Sequence, residues 1–311
     1  MVSATEKPKI VVICGPTGIG KTAVGIELAE KLGGEIINAD SMQIYRYMDI
    51  GTAKPTAAEQ GRVRHHMIDI VDPDEDFDAV GFARMAREKV TQLHQKGVCP
   101  VVAGGTGLYI KALLQGLFHS NPVDPEIRNR LNQEAAESGS SHLHERLQQV
   151  DPDTADRLHP NDTYRIIRAL ETIESTGRSI SEHHQDHGFK DEPFNALKIG
   201  LQMDRRMLYD RIDRRVDLMI EAGLAEEVKS LLDRGYAGDL KSMQSIGYRH
   251  MVDVLNGRVP WEECIRTLKR DTRRFAKRQF TWFGADPTIA WYQPGELKLI
   301  TRLVLDFVGD V

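Results

Sequence analysis

The chain has 311 residues, 28% of them charged and 41% hydrophobic, and a formal net charge of −5. This is the make-up of a globular protein with a sizeable core, and it excludes a uniformly basic nucleic-acid coat, although local patches remain open. Cys14, Cys99 and Cys264 stand far apart without Cys-x-x-Cys spacing, which argues against a disulfide framework or a cysteine-rich zinc site and for a reducing cytoplasm.

The first apolar run, KIVVIC at 9–14, predicts a buried parallel strand rather than a signal peptide, since it leads straight into GPTGIGKT at 15–22. No stretch approaches the ~18 apolar residues of a membrane span. A helix is expected over 22–32, a second strand over 35–39 ending at Asp40, and a third over 98–103 ending at Gly104-Gly105-Thr106. Apolar strands alternating with helices predict an α/β fold, a P-loop NTPase-like parallel sheet flanked by helices. Ligands of such sheets bind at the carboxyl ends of the strands, where the loop, Asp40 and Thr106 converge.

From about Leu117 the chain turns polar and helical, broken by NPVDP, ESGSS, VDPDT and HPND, whose Asp-Pro and Asn-Asp pairs are good helix starts. It reads as an inserted all-helical domain, 117–194, between the two parts of the core, 1–116 and 195–311. A strand returns at 196–203, and helices follow, with stops at Gly223, Gly235, Gly257 and Gly284.

The loop fits G-x-x-x-x-G-K-[ST] without mismatch. The loop Gly15, Pro16, Thr17, Gly18, Ile19, Gly20, Lys21 and Thr22 and the helix N-terminus form an anion cradle of backbone N–H groups for a polyphosphate, with Lys21 as a point charge and the Thr22 hydroxyl placed for Mg²⁺. Asp40 suits a general base, or an N-cap. Ser41, Gln43 and Tyr45 offer polar and stacking groups, or ordinary loop polarity. Thr106 suits an anion donor, or the cap of the next helix. In MDRRMLYDRIDRRVDLM (203–219) Arg205, Arg206, Arg211, Arg214 and Arg215 are expected to be mostly surface or salt-bridged by the interleaved aspartates, with one or two within reach of the anion site, and Met207, Ile212, Val216 and Met219 form the apolar stripe. In RTLKRDTRRFAKR (266–278), Arg266, Arg270, Arg273 and Lys277 share a face, with Arg274 and Arg278 alongside. This is either a nucleic-acid track or a solvated face. His65-His66 and His183, His184 and His187 lack the company of further ligands that a zinc site needs. The acidic stretch 69–78 lacks EF-hand spacing and reads as a loop and helix start.

GPTGIGKT, INADSMQIYRYMDIGTAKP, HHMIDIVDP, VVAGGTGLYIKALL, RLHPNDTYRIIRALE, QSIGY and AKRQFTWF occur in this order, and the chain resembles the bacterial tRNA dimethylallyltransferases from about residue 9 to 283. The resemblance implies transfer of a dimethylallyl group from dimethylallyl diphosphate to N6 of adenosine 37, in tRNAs with an adenosine run at 36–38. It implies an insertion domain gripping the anticodon stem–loop, Mg²⁺ as cofactor, a monomer, and no membrane or protein partner. It assigns catalysis to Asp40, Thr106 and Arg215, with Lys21, Thr22 and Arg215 on the diphosphate. It also assigns tRNA contacts to Asp40, Ser41, Met42, Gln43, Thr106, Arg128, Arg165, Gln244, Arg273, Arg274, Lys277, Arg278 and Gln279. One departure is Gly284, where the family commonly carries Arg after TWF. Read from residues 1–110 alone, a small-molecule P-loop kinase fits as well, and prenylation of free adenine nucleotides shares the loop and the base.

Overall fold

A computed structural model describes residues 7–116, 124–182 and 191–309. The sheet is built from the apolar runs. Lys9–Cys14 (β1), Glu35–Asn38 (β2), His65–His66 (β3), Pro100–Gly104 (β4), Asn195–Leu201 (β5) and Ala290–Tyr292 (β6) pair in the order β3-β2-β4-β1-β5-β6. Every pairing is parallel. Ile10 to Ile13 and Val101-Val102 are fully buried, as a sheet covered on both faces requires.

Between the strands run Lys21–Leu32 (α1), Ala57–Arg62 (α2), Ala79–Gln95 (α3) and Gly107–Gln115 (α4). Helix α1 turns Val24, Ile26, Leu28, Ala29 and Leu32 onto the sheet, at about 1.5–3 kcal/mol for each large aliphatic side chain removed from water. The acidic stretch supplies the N-cap of α3, where the Asp78 side chain accepts from Gly81 N–H.

The chain divides into two compact units, Met1–Leu114 with Glu192–Val311, and Gln115–Asp191. The second comprises Pro125–Ser138 (α5), Ser140–Val150 (α6), Pro152–Ala155 (α7) and Thr163–Thr176 (α8) among the described residues. Asp124, Asp151 and Asp162 cap α5, α7 and α8. Leu131, Leu143, Leu147, Ile166, Ile167 and Leu170 form its own core. The loop sequence 183–190, with His183, His184 and His187, lies outside the described residues.

After β5 the first unit continues as Arg205–Glu221 (α9), Leu224–Asp233 (α10), Tyr248–Leu255 (α11), Trp261–Gly284 (α12) and, past β6, Leu297–Val308 (α13). The buried row of α9 is Leu208, Ile212 and Val216, whereas Met207 is exposed. Of the expected stripe, Ile212 and Val216 hold and Met219 is partly buried against the core; Met207 alone is corrected, because Leu208 stands four before Ile212 on the buried face and its neighbour at 207 is turned about 100° away. No helix of the described residues is long and apolar enough to cross a membrane.

Candidate active site

Three strand ends meet because of strand order. β4 lies between β2 and β1, and the register places Cys14 beside Gly104 and Asn38 beside Ala103. The turn after β4 therefore stands between the phosphate loop and Asp40. Its backbone approaches so closely that a Cβ on Gly104 would lie 2.1 Å from Ala39 O.

The loop leaves β1 at Gly15, whose φ of 142° and contact with Leu201 O suit glycine. It enters α1 at Gly20, in the left-handed region at φ 107° and without a side-chain cap. The first-turn N–H groups of α1 are thus left to an external anion. Ile19 is fully buried, so only its backbone can serve the cradle. Lys21 Nζ donates to Pro16 O at 2.8 Å, curling the side chain back over the loop.

A cavity of about 1160 Å³ opens here, lined by Thr17, Gly18, Gly20, Lys21 and Thr22 on one side and by Asp40, Arg211 and Arg215 on others. Burial pushes the Lys21 ammonium down to about 8; the Asp40 carboxylate opposes this and Arg215 adds to it. Burial likewise holds the Arg215 guanidinium below its ordinary range, with Asp40 opposing and Arg211 reinforcing. Three cations share this space with the Asp40 carboxylate, a field that suits a polyanion.

Asp40 Oδ1 accepts from Met42 N–H at 2.9 Å, a local turn that fixes its rotamer. The Thr106 hydroxyl does not cap α4. It accepts from Ser41 N–H at 2.9 Å and reaches Ser41 Oγ at 3.2 Å, while Thr106 N–H donates to Ala39 O. Thr106 therefore ties the β4 turn to the Asp40 turn.

The wall facing the phosphate loop is the stretch 49–57, and sequence reasoning missed what holds it. Asn38 Nδ2 donates to Gln43 Oε1 at 2.5 Å, and Gln43 Nε2 donates to Thr52 O and Ala53 O. Lys54 Nζ donates to Tyr45 O, Asp49 and Asp69. Glu227 accepts from the N–H groups of Asp49, Ile50 and Gly51 and from Tyr248 OH. Of the arginines on α9, Arg211 and Arg215 line the cavity. Their spacing of four puts both on one helix face.

The remaining expected residues divide. Gln43 and Gln279 are buried, at 7% exposure each, with their amides hydrogen-bonded inside the protein. Two aspartates of α9 pair with α12 and not with the arginines of their own helix. Asp213 holds Arg273 at 2.5 and 2.6 Å, and Asp217 holds Lys269 at 2.6 Å. On α12, Arg266 pairs with Glu263 and Arg270 with Asp271, so of the shared basic face Lys277 is the cation without an ion pair among the described residues. Arg274 is exposed at the rim of Asp271, and Arg278 lies over the Phe275 ring. Gln244 is exposed and donates to Gly238 O. Arg128 and Arg165 belong to the second unit. Arg128 and Arg168 converge on Glu171, and Arg165 is an exposed partner of Asp162.

The chain matches the model of the IPP transferase family over residues 43–286. It is 57% identical over 303 residues to a tRNA dimethylallyltransferase of Desulfosudis oleivorans, covering 97% of this chain and 96% of the relative. A crystal structure of the full-length tRNA isopentenylpyrophosphate transferase of Bacillus halodurans superposes with a TM-score of 0.73 at 43% identity, covering 97% of both chains. A eukaryotic dimethylallyltransferase acting on tRNA gives a TM-score of 0.75 at 31% identity, covering 88% of this chain and 69% of that one.

Proposed function

The chain belongs to the IPP transferase family, and from that premise we propose that it transfers the dimethylallyl group of dimethylallyl diphosphate to N6 of adenosine 37 in tRNA, releasing diphosphate. The observation that carries the chemistry is the single cavity in which an N–H cradle, Lys21, Arg211 and Arg215 face the carboxylate of Asp40.

The adenine amine is a weak nucleophile because its lone pair is delocalised into the ring. As the N6–C1 bond forms, Asp40 takes the N6 proton, a contribution of roughly 10²–10⁴-fold for such catalysis. The C1–O bond breaks and its electron pair leaves with the diphosphate. Lys21, Arg215 and the first-turn N–H groups of α1 stabilise the negative charge that develops there. Thr106 keeps the Asp40 turn in register with the β4 turn. Leu218, Met219, Ala222 and Phe275 give the cavity an apolar flank suited to a five-carbon tail. That flank favours the prenyl donor over a nucleotide.

Among the described residues no group of three or more His, Cys, Asp or Glu can hold a metal. The Thr22 hydroxyl at the head of α1 would hold a Mg²⁺ ion together with the diphosphate. When bound, that ion neutralises charge on the leaving group. The target base has to leave the anticodon-loop stack to reach Asp40, and the all-helical unit with Arg128 and Arg165 serves to hold the stem–loop.

The test is mass spectrometry of tRNA nucleosides after incubation with dimethylallyl diphosphate and Mg²⁺. Gain of an isopentenyl group on adenosine 37 is expected. ATP consumption coupled to a small acceptor, or prenylation confined to free adenine nucleotides, would overturn the reading.

A further inference from the structure

Gln279 differs from the residues around it on α12. Arg274, Lys277 and Arg278 are exposed, whereas Gln279 points inward and is 7% exposed. Its Oε1 accepts from Thr17 N–H at 2.8 Å, and its Nε2 donates to Gly105 O at 2.8 Å. One amide thus bridges the phosphate loop and the residue before Thr106. The packing admits nothing else. A Cβ on Gly105 would lie 2.5 Å from Gln279 Nε2, and one on Gly107 would lie 2.1 Å from Trp282 Nε1. Two glycines of the β4–α4 turn make room for α12 to reach across.

The link continues through Thr106 to Ser41 and Ala39, and so to Asp40. The leaving-group cradle and the proton acceptor sit on different loops, and Gln279 joins them. It also commits Thr17 N–H to a side chain, so this loop amide is a structural donor.

We propose that Gln279 is a positioning residue for the transfer reaction, a strut that sets the separation between the diphosphate loop and the Thr106–Asp40 turns, and that it is not an RNA contact. The proposal rests on the transferase reading above. Neither isostere can replace the amide. Leucine offers neither donor nor acceptor, and glutamate keeps the acceptor for Thr17 N–H but sets a carboxylate against Gly105 O, with Lys21 Nζ 3.4 Å from the Gly105 Cβ position to draw it aside.

The experiment compares Gln279→Leu and Gln279→Glu with the wild type in steady-state kinetics on tRNA and dimethylallyl diphosphate, alongside tRNA binding. Displacing a reacting group by about 1 Å costs on the order of 10²-fold. In Gln279→Leu, kcat is expected to fall by about that factor, with KM and affinity for tRNA within twofold of wild type. Gln279→Glu, which keeps one of the two bonds, is expected to fall less. It also preserves the packed shape, so it carries the test if the leucine variant does not fold. Weaker tRNA binding with kcat intact would overturn the proposal in favour of an RNA contact. A lower Tm with both kcat and KM intact would overturn it in favour of a purely structural role. A wild type that transfers no prenyl group to tRNA would instead sink the transferase reading.

Discussion

The phosphate loop and helix α12 contrast within one unit. The loop's role is local: its cradle is built from backbone N–H groups of one short segment at the head of α1, and Gly20 supplies the left-handed entry within the same segment. The role of α12 is not local. Its basic stretch looks uniform along the chain, yet Arg266, Arg270 and Arg273 are matched by Glu263, Asp271 and Asp213, Gln279 is buried, Arg278 lies over Phe275, and Lys277 has no ion pair among the described residues. A motif built from backbone can be read from sequence. A charged helix face cannot, because its counterions come from elsewhere in the chain.

The contrast can be broken or sharpened by experiment. The largest effect is expected for Asp40→Asn, which keeps the turn to Met42 and removes the proton acceptor. kcat should fall by roughly 10²–10⁴-fold with tRNA affinity retained. Wild-type turnover in this variant would remove Asp40 as the base.

The pH profile probes the loop side. Free Lys21 titrates near 8, so the cradle carries its full charge below that pH and loses one charge above it. Bound diphosphate favours the ammonium and raises its pKa in the complex. kcat/KM for dimethylallyl diphosphate should therefore fall as pH rises through about 8, while kcat holds to higher pH. Lys21→Arg should move this limb out of the accessible range. A flat kcat/KM between pH 7 and 9 would contradict the assignment.

Salt dependence probes the helix side. Lys277→Ala should reduce the slope of log affinity for tRNA against log salt by about 0.7–0.9. Arg273→Gln, whose charge Asp213 already compensates, should change it by less than half as much. Equal changes would mean that the ion pair opens on RNA binding.

The smallest effect is expected at Gly284. It closes α12, and a Cβ there meets nothing within 4 Å, so Gly284→Arg fits sterically. Replacing a helical glycine should stabilise by about 0.5–1 kcal/mol, read as a higher Tm. The added exposed charge should tighten tRNA binding by no more than about fivefold, the equivalent of about 1 kcal/mol. No change in salt slope would place position 284 away from the RNA.

The parallel sheet, the loop, the place of Asp40 and the break into helices were legible in the chain because each rests on contiguous residues: an apolar run, a glycine pattern, a turn pair. On α9 only the first position of the stripe was misplaced, because Met207 and Leu208 are adjacent apolar residues and packing took the one four before Ile212. Glu227 and Lys54 were invisible as wall supports, since their partners lie at 49–51 and at 45, 49 and 69 respectively.

The sequence by itself determined which chemical groups the protein owns: an anion cradle, a carboxylate at a strand end and a basic helix. Only the tertiary structure decided which of them work together. Strand order put the β4 turn between the cradle and Asp40, and buried polar groups such as the Gln279 amide had to find partners across the fold. The physical reason is that backbone geometry is set by neighbours in the chain, whereas a side chain's charge or hydrogen bond is satisfied by neighbours in space.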